Sequence, residues 1–338
     1  MVRLAIAGIG SIANMYIWLI ASGKVPSVRL TALCSRSREA MEQAANRFHL
    51  DVKLYQDYEE LLSSGDCDAV LICTPHGKHP TMTKQALLAG IPVLVEKPVG
   101  IFTEEVEECL DILKKDPKLV CGVMYNRRAS KAFHAIKKMV DSGEIGELVR
   151  CSWIITDLYR SHAYHASSPW RGSWAEEGGG LLMTQASHQL DLLQWICGMP
   201  VAVTAHVSND HLKGEIEVED TATALFETAD GRRLNFFATT ACGASFPAQL
   251  HICTASGEKL YADTKLVLKN RVPVSADEAD GAEIGKAVWG KGHALLIKDF
   301  YSCLASGKHF PIDAAEAAKV IRLILAMYES NGERIEIR

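Results

Sequence analysis

Residues 2–13, VRLAIAGIGSIA, decide the fold of this chain. Six mostly aliphatic residues predict a buried strand, and the polar and apolar residues that follow Ser11 predict a helix. The glycines between them permit a tight turn and let a ligand approach the backbone at the start of the helix. The stretch therefore predicts a dinucleotide-binding turn, with an ordinary strand–helix turn as the alternative. We expect the cofactor to contact Gly8, Gly10, Ser11 and Ile12.

The first third of the chain continues this alternation of short apolar runs and helical patterns, which is typical of a parallel sheet covered by helices on both faces. Capping-box spacing at Asp57–Glu60 and Pro80 in a first turn support the helices. We predict an α/β fold that opens with a Rossmann doubly wound domain over residues 1–123. Its five strands are predicted at residues 2–7, 28–34, 69–73, 92–95 and 119–123.

From about residue 147 the rhythm changes, because several strand-like segments follow one another after a single helix at 181–197. Successive strands without helices between them predict an α+β domain with an open, largely antiparallel sheet over residues 124–338. Two late helices are predicted, at 293–305 and 313–328. The strands are expected at residues 201–208, 220–227, 233–239, 249–254 and 260–268.

Composition narrows the function classes. A chain of 338 residues, 48% of them hydrophobic, can bury two cores. Its ten cysteines lack metal-binding or redox spacing, and no stretch predicts a signal peptide or a membrane span, so we expect a cytoplasmic protein without a metal site. A net charge of −5 without a basic block predicts neither a nucleic-acid nor a membrane partner.

The end of the second strand bears on the choice of cofactor. An acidic residue normally stands there and binds the ribose hydroxyls of NAD. Here the sequence is Ser35-Arg36-Ser37, and an arginine between two serines suits a 2′-phosphate. We therefore predict that Ser35 and Arg36 contact the cofactor and that NADP is favoured over NAD, with a merely solvated Arg36 as the alternative.

Three further motifs join the glycine turn: TPHGKH at 74–79, VEKP at 95–98, and the triple glycine 178–180 followed by His188 and Asp191. In combination they resemble the Gfo/Idh/MocA oxidoreductase family over essentially the whole chain. The resemblance implies a Rossmann domain joined to an open mixed sheet, with nicotinamide at the domain junction. It also implies cofactor contacts from Thr74, Pro75, His79, Glu96 and Lys97.

Lys97 is the first candidate catalytic residue, because ligands of open α/β sheets bind beyond the carboxyl ends of the strands. Partial desolvation and a nearby nicotinamide cation would lower the pKa of this lysine, which suits it to bond the reacting hydroxyl or relay its proton. The alternative is an ion pair with Glu96 that only holds a turn.

His188 is the second candidate, as the base that removes a hydroxyl proton while the carbon hydrogen leaves as hydride. On an α-helix Thr184, His188 and Asp191 share one face, and the preceding glycines would let the backbone approach a ligand. The family pattern usually has aspartate where this chain has Thr184, which weakens an Asp–His relay. A structural histidine is the alternative.

Aromatic residues beside hydrogen-bond donors suit a sugar, which has apolar faces and polar edges. The resemblance favours Tyr125, Arg128, Trp170 and Arg171 as substrate contacts, together with Thr184 and His188, within loops that also hold Tyr164, His165 and Trp174. For Trp170 and Trp174 the alternative is that they anchor a long loop. We expect a small carbohydrate or polyol substrate.

Hydride transfer between NAD(P) and a hydroxyl carbon of a sugar, inositol or related polyol is thus the predicted activity. Some proteins similar to the family instead cleave glycosidic bonds without net redox change, and others are non-catalytic nucleotide-sensing regulators, so both stay as alternatives. The largely uncharged strand 221–226 further predicts sheet-to-sheet packing in a homodimer or homotetramer.

Overall fold

A computed structural model describes residues 1–156, 159–168, 170–242, 246–263, 266–276 and 292–338. The chain divides into two compact units. The first comprises Met1–Ala129 and Ala282–Ala318, and the second comprises Ser130–Gly281 and Lys319–Arg338. The predicted boundary at 123/124 divides the chain into two contiguous domains. In the structure, the first unit also includes a segment from near the C-terminus and is therefore not contiguous in sequence.

The first unit is built on a parallel sheet of six strands in the order β3-β2-β1-β4-β5-β6. Its strands are β1 Val2–Ala7, β2 Val28–Cys34, β3 Lys53–Tyr55, β4 Ala69–Ile72, β5 Val93–Val95 and β6 Cys121–Val123. Its helices are α1 Ser11–Ala21, α2 Arg38–Arg47, α3 Tyr58–Ser63, α4 His79–Leu88, α5 Thr103–Lys115 and α10 His293–Ser306. The prediction of five strands missed β3, because its residues are partly exposed and begin with a lysine, whereas the equally short β5 and β6 are fully buried.

The central strands β1 and β4 are covered on both faces, which explains their continuous apolar sequences. Leu4, Ile6, Leu71 and Ile72 are completely buried. Because β1, β4 and β5 are parallel, their carboxyl ends meet at one edge of the sheet. The predicted cofactor motifs follow the strands at this edge.

The segment that returns to the first unit packs against the end of β6. The Val123 amide donates to the Ile312 carbonyl at 2.9 Å. A Cβ at Gly122 would lie 2.6 Å from the Phe300 ring and 2.9 Å from the Phe310 ring. A glycine is thus required where two aromatic rings lie against the strand, and this contact assigns α10 to the first unit.

The second unit holds a nine-stranded sheet in the order β14-β13-β12-β11-β7-β10-β9-β8-β15. Its pairs are antiparallel except for β7 with β10. The strands are β7 Leu148–Ile155, β8 Ala202–Ser208, β9 Thr221–Glu227, β10 Arg233–Thr239, β11 Gln249–Thr254, β12 Lys259–Ala262, β13 Leu266–Lys269, β14 Val272–Ala276 and β15 Arg334–Glu336. The single strand predicted at 260–268 is wrong: β12 and β13 form a hairpin, whose reversal interrupts the apolar run.

Helices of the second unit are α6 Lys131–Asp141, α7 His162–Ala166, α8 Trp174–Glu177 and α9 Ser187–Cys197, while α11 Ala314–Ser330 begins in the first unit and ends in the second. One face of the sheet carries this unit's core, with Cys151, Trp153, Phe226 and Phe236 buried. No helix within the described residues has the length and apolar character needed to cross a membrane.

Two predicted helix starts are confirmed by their caps. The Asp57 carboxylate accepts the Glu60 amide at 2.8 Å, and the Asp313 carboxylate accepts the Glu316 amide at the same distance. The predicted helix at 181–197 is not uniform, because a π-helical turn, Leu182–Ala186, precedes α9.

Candidate active site

The two glycines of the first turn serve different purposes. Gly8 has a φ of +90°, and a Cβ there would lie 2.8 Å from the Cys73 carbonyl and the Thr74 nitrogen. A Cβ at Gly10 would meet no atom within 4 Å. Gly8 is therefore needed for packing against the end of β4, whereas Gly10 borders open space.

The start of α1 fits a dinucleotide pyrophosphate. Gly10 is its N-cap and provides no side-chain acceptor, and the first turn has no acidic residue. The first helical bond runs from the Asn14 amide to the Gly10 carbonyl. Because the amides that precede Asn14 lack acceptors within the helix, the positive end of its dipole is available to a phosphate.

The end of β2 presents Arg36 to solvent. Its guanidinium forms no salt bridge with the part of the chain that is described. Of the two flanking serines, Ser37 already caps α2 by accepting the Ala40 amide at 3.1 Å, and Ser35 accepts the Ser37 amide at 3.3 Å. Arg36 is thus the group at this strand end that is available to an anionic ligand.

His79 lies behind the loops that follow β4 and β5. Its imidazole is fully buried, with Nδ1 at 2.7 Å from the Pro98 carbonyl and Nε2 at 2.8 Å from the Thr74 carbonyl. Two carbonyl acceptors favour the charged ring, but burial disfavours it more and lowers the pKa of His79. His79, which the resemblance predicts as a cofactor contact, therefore links two loops through hydrogen bonds. Thr74 and Pro75 lie on one of these loops.

Glu96 is also buried rather than presented to a ligand. Its carboxylate accepts the Tyr16 hydroxyl and the Lys97 backbone amide, the latter at 3.1 Å. Tyr16 Oη lies 3.1 Å from His293 Nδ1, so when the single phenolic hydrogen goes to Glu96 the histidine must donate to Tyr16. Burial raises the pKa of Glu96, and the Tyr16 bond partly offsets this.

Lys97 follows Glu96 and is half-buried at the end of β5. Its charge acts on both neighbours, since it lowers the pKa of His79 and that of Glu96. Glu96, Tyr16, His293 and His79 thus support the backbone that presents Lys97. Sequence reasoning missed Tyr16 and His293, because Tyr16 stands in an apolar helix like any core aromatic and His293 has no motif around it.

Two predicted substrate contacts lie in the interior of the first unit. Tyr125 is completely buried, and Arg128 is 4% exposed with its guanidinium 2.9 Å from the Glu316 carboxylate. Arg128 ties the turn Asn126–Ala129 to the start of α11. The resemblance predicts a substrate contact for Arg128, and its partner Glu316 is distant in the chain, so the sequence alone does not show this ion pair.

The triple glycine of the second unit makes close contacts within the protein. A Cβ at Gly180 would lie 2.0 Å from the Glu219 carbonyl, and one at Gly179 would lie 2.1 Å from the Tyr328 hydroxyl. The close approach that Gly179 and Gly180 allow within the described structure is to Tyr328 and Glu219.

Glu219 holds the start of the helical segment that carries His188. Its carboxylate accepts the amides of Gly180 and Leu182 and the Tyr328 hydroxyl, each at 2.9 Å. Burial raises its pKa to about 7 although these bonds oppose the shift. Sequence reasoning missed Glu219, because its partners Gly180 and Leu182 lie 39 and 37 residues upstream and Tyr328 lies 109 residues downstream.

The π-helical turn changes the predicted alignment of Thr184, His188 and Asp191. A π turn holds more residues than an α turn, so Thr184 does not lie one α turn above His188. His188 and Asp191 both belong to the regular helix α9 and remain neighbours at i, i+3. Thr184 donates to the Gly180 carbonyl at 2.8 Å.

Tyr164 and His165 lie on the short helix α7, and Trp174 begins α8. Trp174 is 41% exposed, its indole nitrogen donates to the Glu217 carbonyl, and its ring packs against Tyr328. These contacts agree with the alternative interpretation that Trp174 anchors a loop. Trp170 is half-buried and lies under the Arg171 guanidinium at 4.5 Å.

Residues 2–125 match a family model described as an oxidoreductase family with an NAD-binding Rossmann fold. Residues 133–258 match a GFO/IDH/MocA C-terminal domain. The two models belong together and cover the body of both units, so the resemblance inferred from the motifs is confirmed.

Among curated relatives, inositol 2-dehydrogenase of Rhizobium meliloti is 25% identical over 99% of this chain and 98% of its own length. Mouse trans-1,2-dihydrobenzene-1,2-diol dehydrogenase is 27% identical over 79% of this chain and 77% of its own. A solved levoglucosan dehydrogenase in complex with NADH and levoglucosan has a TM-score of 0.86 at 20% identity, with 99% of each chain covered. This last likeness establishes the fold.

We expect the two glycines of the first turn to separate folding from cofactor binding. Gly10→Ala should change the free energy of unfolding by less than about 0.5 kcal/mol, since its φ of −101° and open surroundings suit alanine. It should nevertheless weaken NADH binding at least about tenfold, because the methyl group occupies the approach of the pyrophosphate. Gly8→Ala should lower the free energy of unfolding by about 2 kcal/mol or more.

Urea denaturation and fluorescence titration with NADH measure the two effects. Wild-type NADH affinity in Gly10→Ala would contradict the assignment of this turn, and an unchanged urea midpoint in Gly8→Ala would contradict the packing constraint.

Glu219 should make the second unit less stable at higher pH. Its folded pKa of about 7 lies above the usual 4.5, so folding favours the protonated form. The stabilisation is complete below about pH 4.5 and is lost as the pH rises through 7, a change of about 3 kcal/mol. Comparing urea denaturation at pH 5 and pH 8, Glu219→Gln should remove this loss and the exposed control Glu176→Gln should retain it. Equal pH dependence in all three proteins would refute the assignment.

Proposed function

This chain belongs to the GFO/IDH/MocA oxidoreductase family, and from that premise we propose that it transfers a hydride between a nicotinamide cofactor and a hydroxyl carbon of a sugar, inositol or related polyol. The main support for a nicotinamide dinucleotide cofactor is the turn at 8–13. There, open space beside Gly10 adjoins the first backbone amides of α1, which no side chain caps. Curated relatives that span nearly the whole chain and act on inositol support the substrate class.

The bound dinucleotide would supply the hydride acceptor and donor. Gly8, Gly10, Ser11 and Ile12 would hold its pyrophosphate, and the Thr74–Pro75 loop would lie beside it. This chain's residues then have one task in oxidation: to take the hydroxyl proton as the C–H bond breaks and the carbonyl forms.

We assign that task to Lys97 and His188. Lys97 would hydrogen-bond the reacting oxygen, with its backbone held by the Glu96 carboxylate. His188 would receive the proton as general base. The capping of its helical segment by Glu219 keeps the backbone before it in one position.

NADP is the proposed cofactor preference. Arg36 supports it, since its guanidinium is exposed at the end of β2 where NAD enzymes usually have an acid. Arg36→Ala should weaken NADPH at least tenfold more than NADH, because the lost ion pair is specific to the 2′-phosphate. Equal weakening of both nucleotides in a fluorescence titration would overturn the preference.

A homodimer or homotetramer through the open face of the nine-stranded sheet is the proposed assembly. Ile154 is 41% exposed there and pairs in register with the half-buried Phe237. Sedimentation of a monomer at micromolar concentration would count against it. A reducing, cytoplasmic compartment is also proposed, because all ten cysteines are free and seven are buried.

The decisive experiment follows nicotinamide absorbance while the protein is offered NADP or NAD with a panel of sugars, inositols and sugar acids. Wild type should turn over at least one of them. Lys97→Ala should abolish turnover yet leave nucleotide affinity within about threefold, and His188→Ala should slow proton transfer by about two to four orders of magnitude.

The exposed helix residue Lys115→Ala serves as the control and should behave as wild type. Wild-type rates in Lys97→Ala or His188→Ala would remove that residue from the mechanism. If the wild type binds the nucleotide but changes the nicotinamide absorbance with no member of the panel, the proposed dehydrogenase activity is refuted.

A further inference from the structure

Two arginines gather around one tyrosine in the second unit. The Arg160 guanidinium carbon lies 3.9 Å from the centre of the Tyr164 ring, and that of Arg171 lies 4.2 Å from it. Arg171 also donates to the Tyr164 hydroxyl and packs on Trp170. Stacking on aromatic rings fixes both guanidinium planes.

The two arginines lie near carboxylates of the described structure without forming an ion pair with them. Neither guanidinium forms a salt bridge with the described residues, and the Nε atom of each is buried without a hydrogen-bond acceptor among them. Burial lowers the pKa of Arg160, and the Arg171 charge adds to this. A buried guanidinium N–H without an acceptor is unfavourable, so an external acceptor would be bound favourably here.

Acidic residues nearby are already occupied. Glu177 accepts the Gly172 amide at 2.5 Å, and Asp220 accepts the amides of Asp210, His211 and Leu212 at 2.7–3.0 Å. Glu219 caps the helical segment described above. These three carboxylates line the same pocket as Arg160, but they accept hydrogen bonds from backbone amides and, within the described structure, form no salt bridge with the arginine.

The space itself is a small pocket, partly open to solvent, whose lining includes Arg160, Tyr164, His165, Thr184 and Gln185. Arg171 contacts this lining through the Tyr164 ring. Gln185 Oε1 is buried and has no donor within the described chain. An amide oxygen of this kind accepts from a hydroxyl group. The pocket thus offers donors for an anion on one side and an acceptor for a hydroxyl on another.

We propose that Arg160 and Arg171, held on Tyr164, form an anion subsite, and that the substrate is a sugar derivative carrying a carboxylate or a phosphate group. The inference rests on the proposed function and narrows its substrate class. The hydroxyl oxygens of a neutral polyol can accept from a guanidinium but carry no charge, whereas a carboxylate or phosphate oxygen forms stronger, charge-assisted bonds and pairs with the arginine charge.

Matched ligand pairs test this without relying on turnover. Dissociation constants are measured by isothermal titration in the presence of NADH for glucose and glucuronate, galactose and galacturonate, and glucose 6-phosphate. The wild type should bind an anionic member at least tenfold more tightly than its neutral partner, and added salt should reduce the preference. A stronger effect of glucuronate assigns a carboxylate, and a stronger effect of glucose 6-phosphate assigns a phosphate.

Arg160→Gln should remove most of this preference, and Arg171→Gln should do so independently. Arg160→Lys should keep part of it, because it retains the charge but not the planar fork. Arg271→Gln, in an exposed turn, is the matched control and should bind as wild type. Thermal unfolding identifies a variant that fails to fold, in which case the other arginine variant decides.

The outcomes separate the two proposals. Equal affinity for neutral and anionic partners, or a preference that survives both glutamine variants, overturns the subsite even if neutral polyols are oxidised. Arginine-dependent anion binding without turnover of any ligand supports the subsite and overturns the dehydrogenase.

Discussion

The packing of Gly8 against the end of β4 is the constraint on which the first unit depends. With a φ of +90° and the Cys73 carbonyl where a Cβ would stand, the chain can turn sharply from β1 into α1. This turn places the start of α1 at the same sheet edge as the loops that follow β4 and β5. Ligands of open α/β sheets bind at that edge, so the backbone alone prepares the site before any catalytic side chain is considered.

Side chains from distant parts of the chain then support that edge. His79 joins the carbonyls of Thr74 and Pro98, while Glu96 is held through Tyr16 and His293. Buried polar groups are tolerated only when they are hydrogen-bonded, and a bonded network resists movement more than apolar packing alone. The residue that carries the proposed chemistry, Lys97, therefore stands on a supported backbone although it is itself only half-buried.

In the second unit, buried polar groups that have hydrogen-bond partners differ in meaning from buried polar groups that lack them. Glu219 and Asp220 each accept several bonds from backbone amides and one from a hydroxyl, so these buried acids support the fold. Arg160 and Arg171 are stacked and partly buried yet lack acceptors at Nε among the described residues. Groups of the first kind stabilise the fold, whereas groups of the second kind suggest a ligand, and the sequence presents both kinds simply as polar residues.

The sequence by itself determined the class of fold, the cofactor turn and the family. These depend on short-range patterns: the apolar runs of β1 and β2, the glycines at 8 and 10, and the caps at Asp57 and Asp313. What only the tertiary structure decided depends on partners far apart in the chain. Only the structure shows that Arg128 pairs with Glu316 and that the triple glycine packs closely against Glu219 and Tyr328. A local pattern specifies what a residue can do, but burial and the identity of its neighbour, which depend on chain folding, decide which of those roles it has.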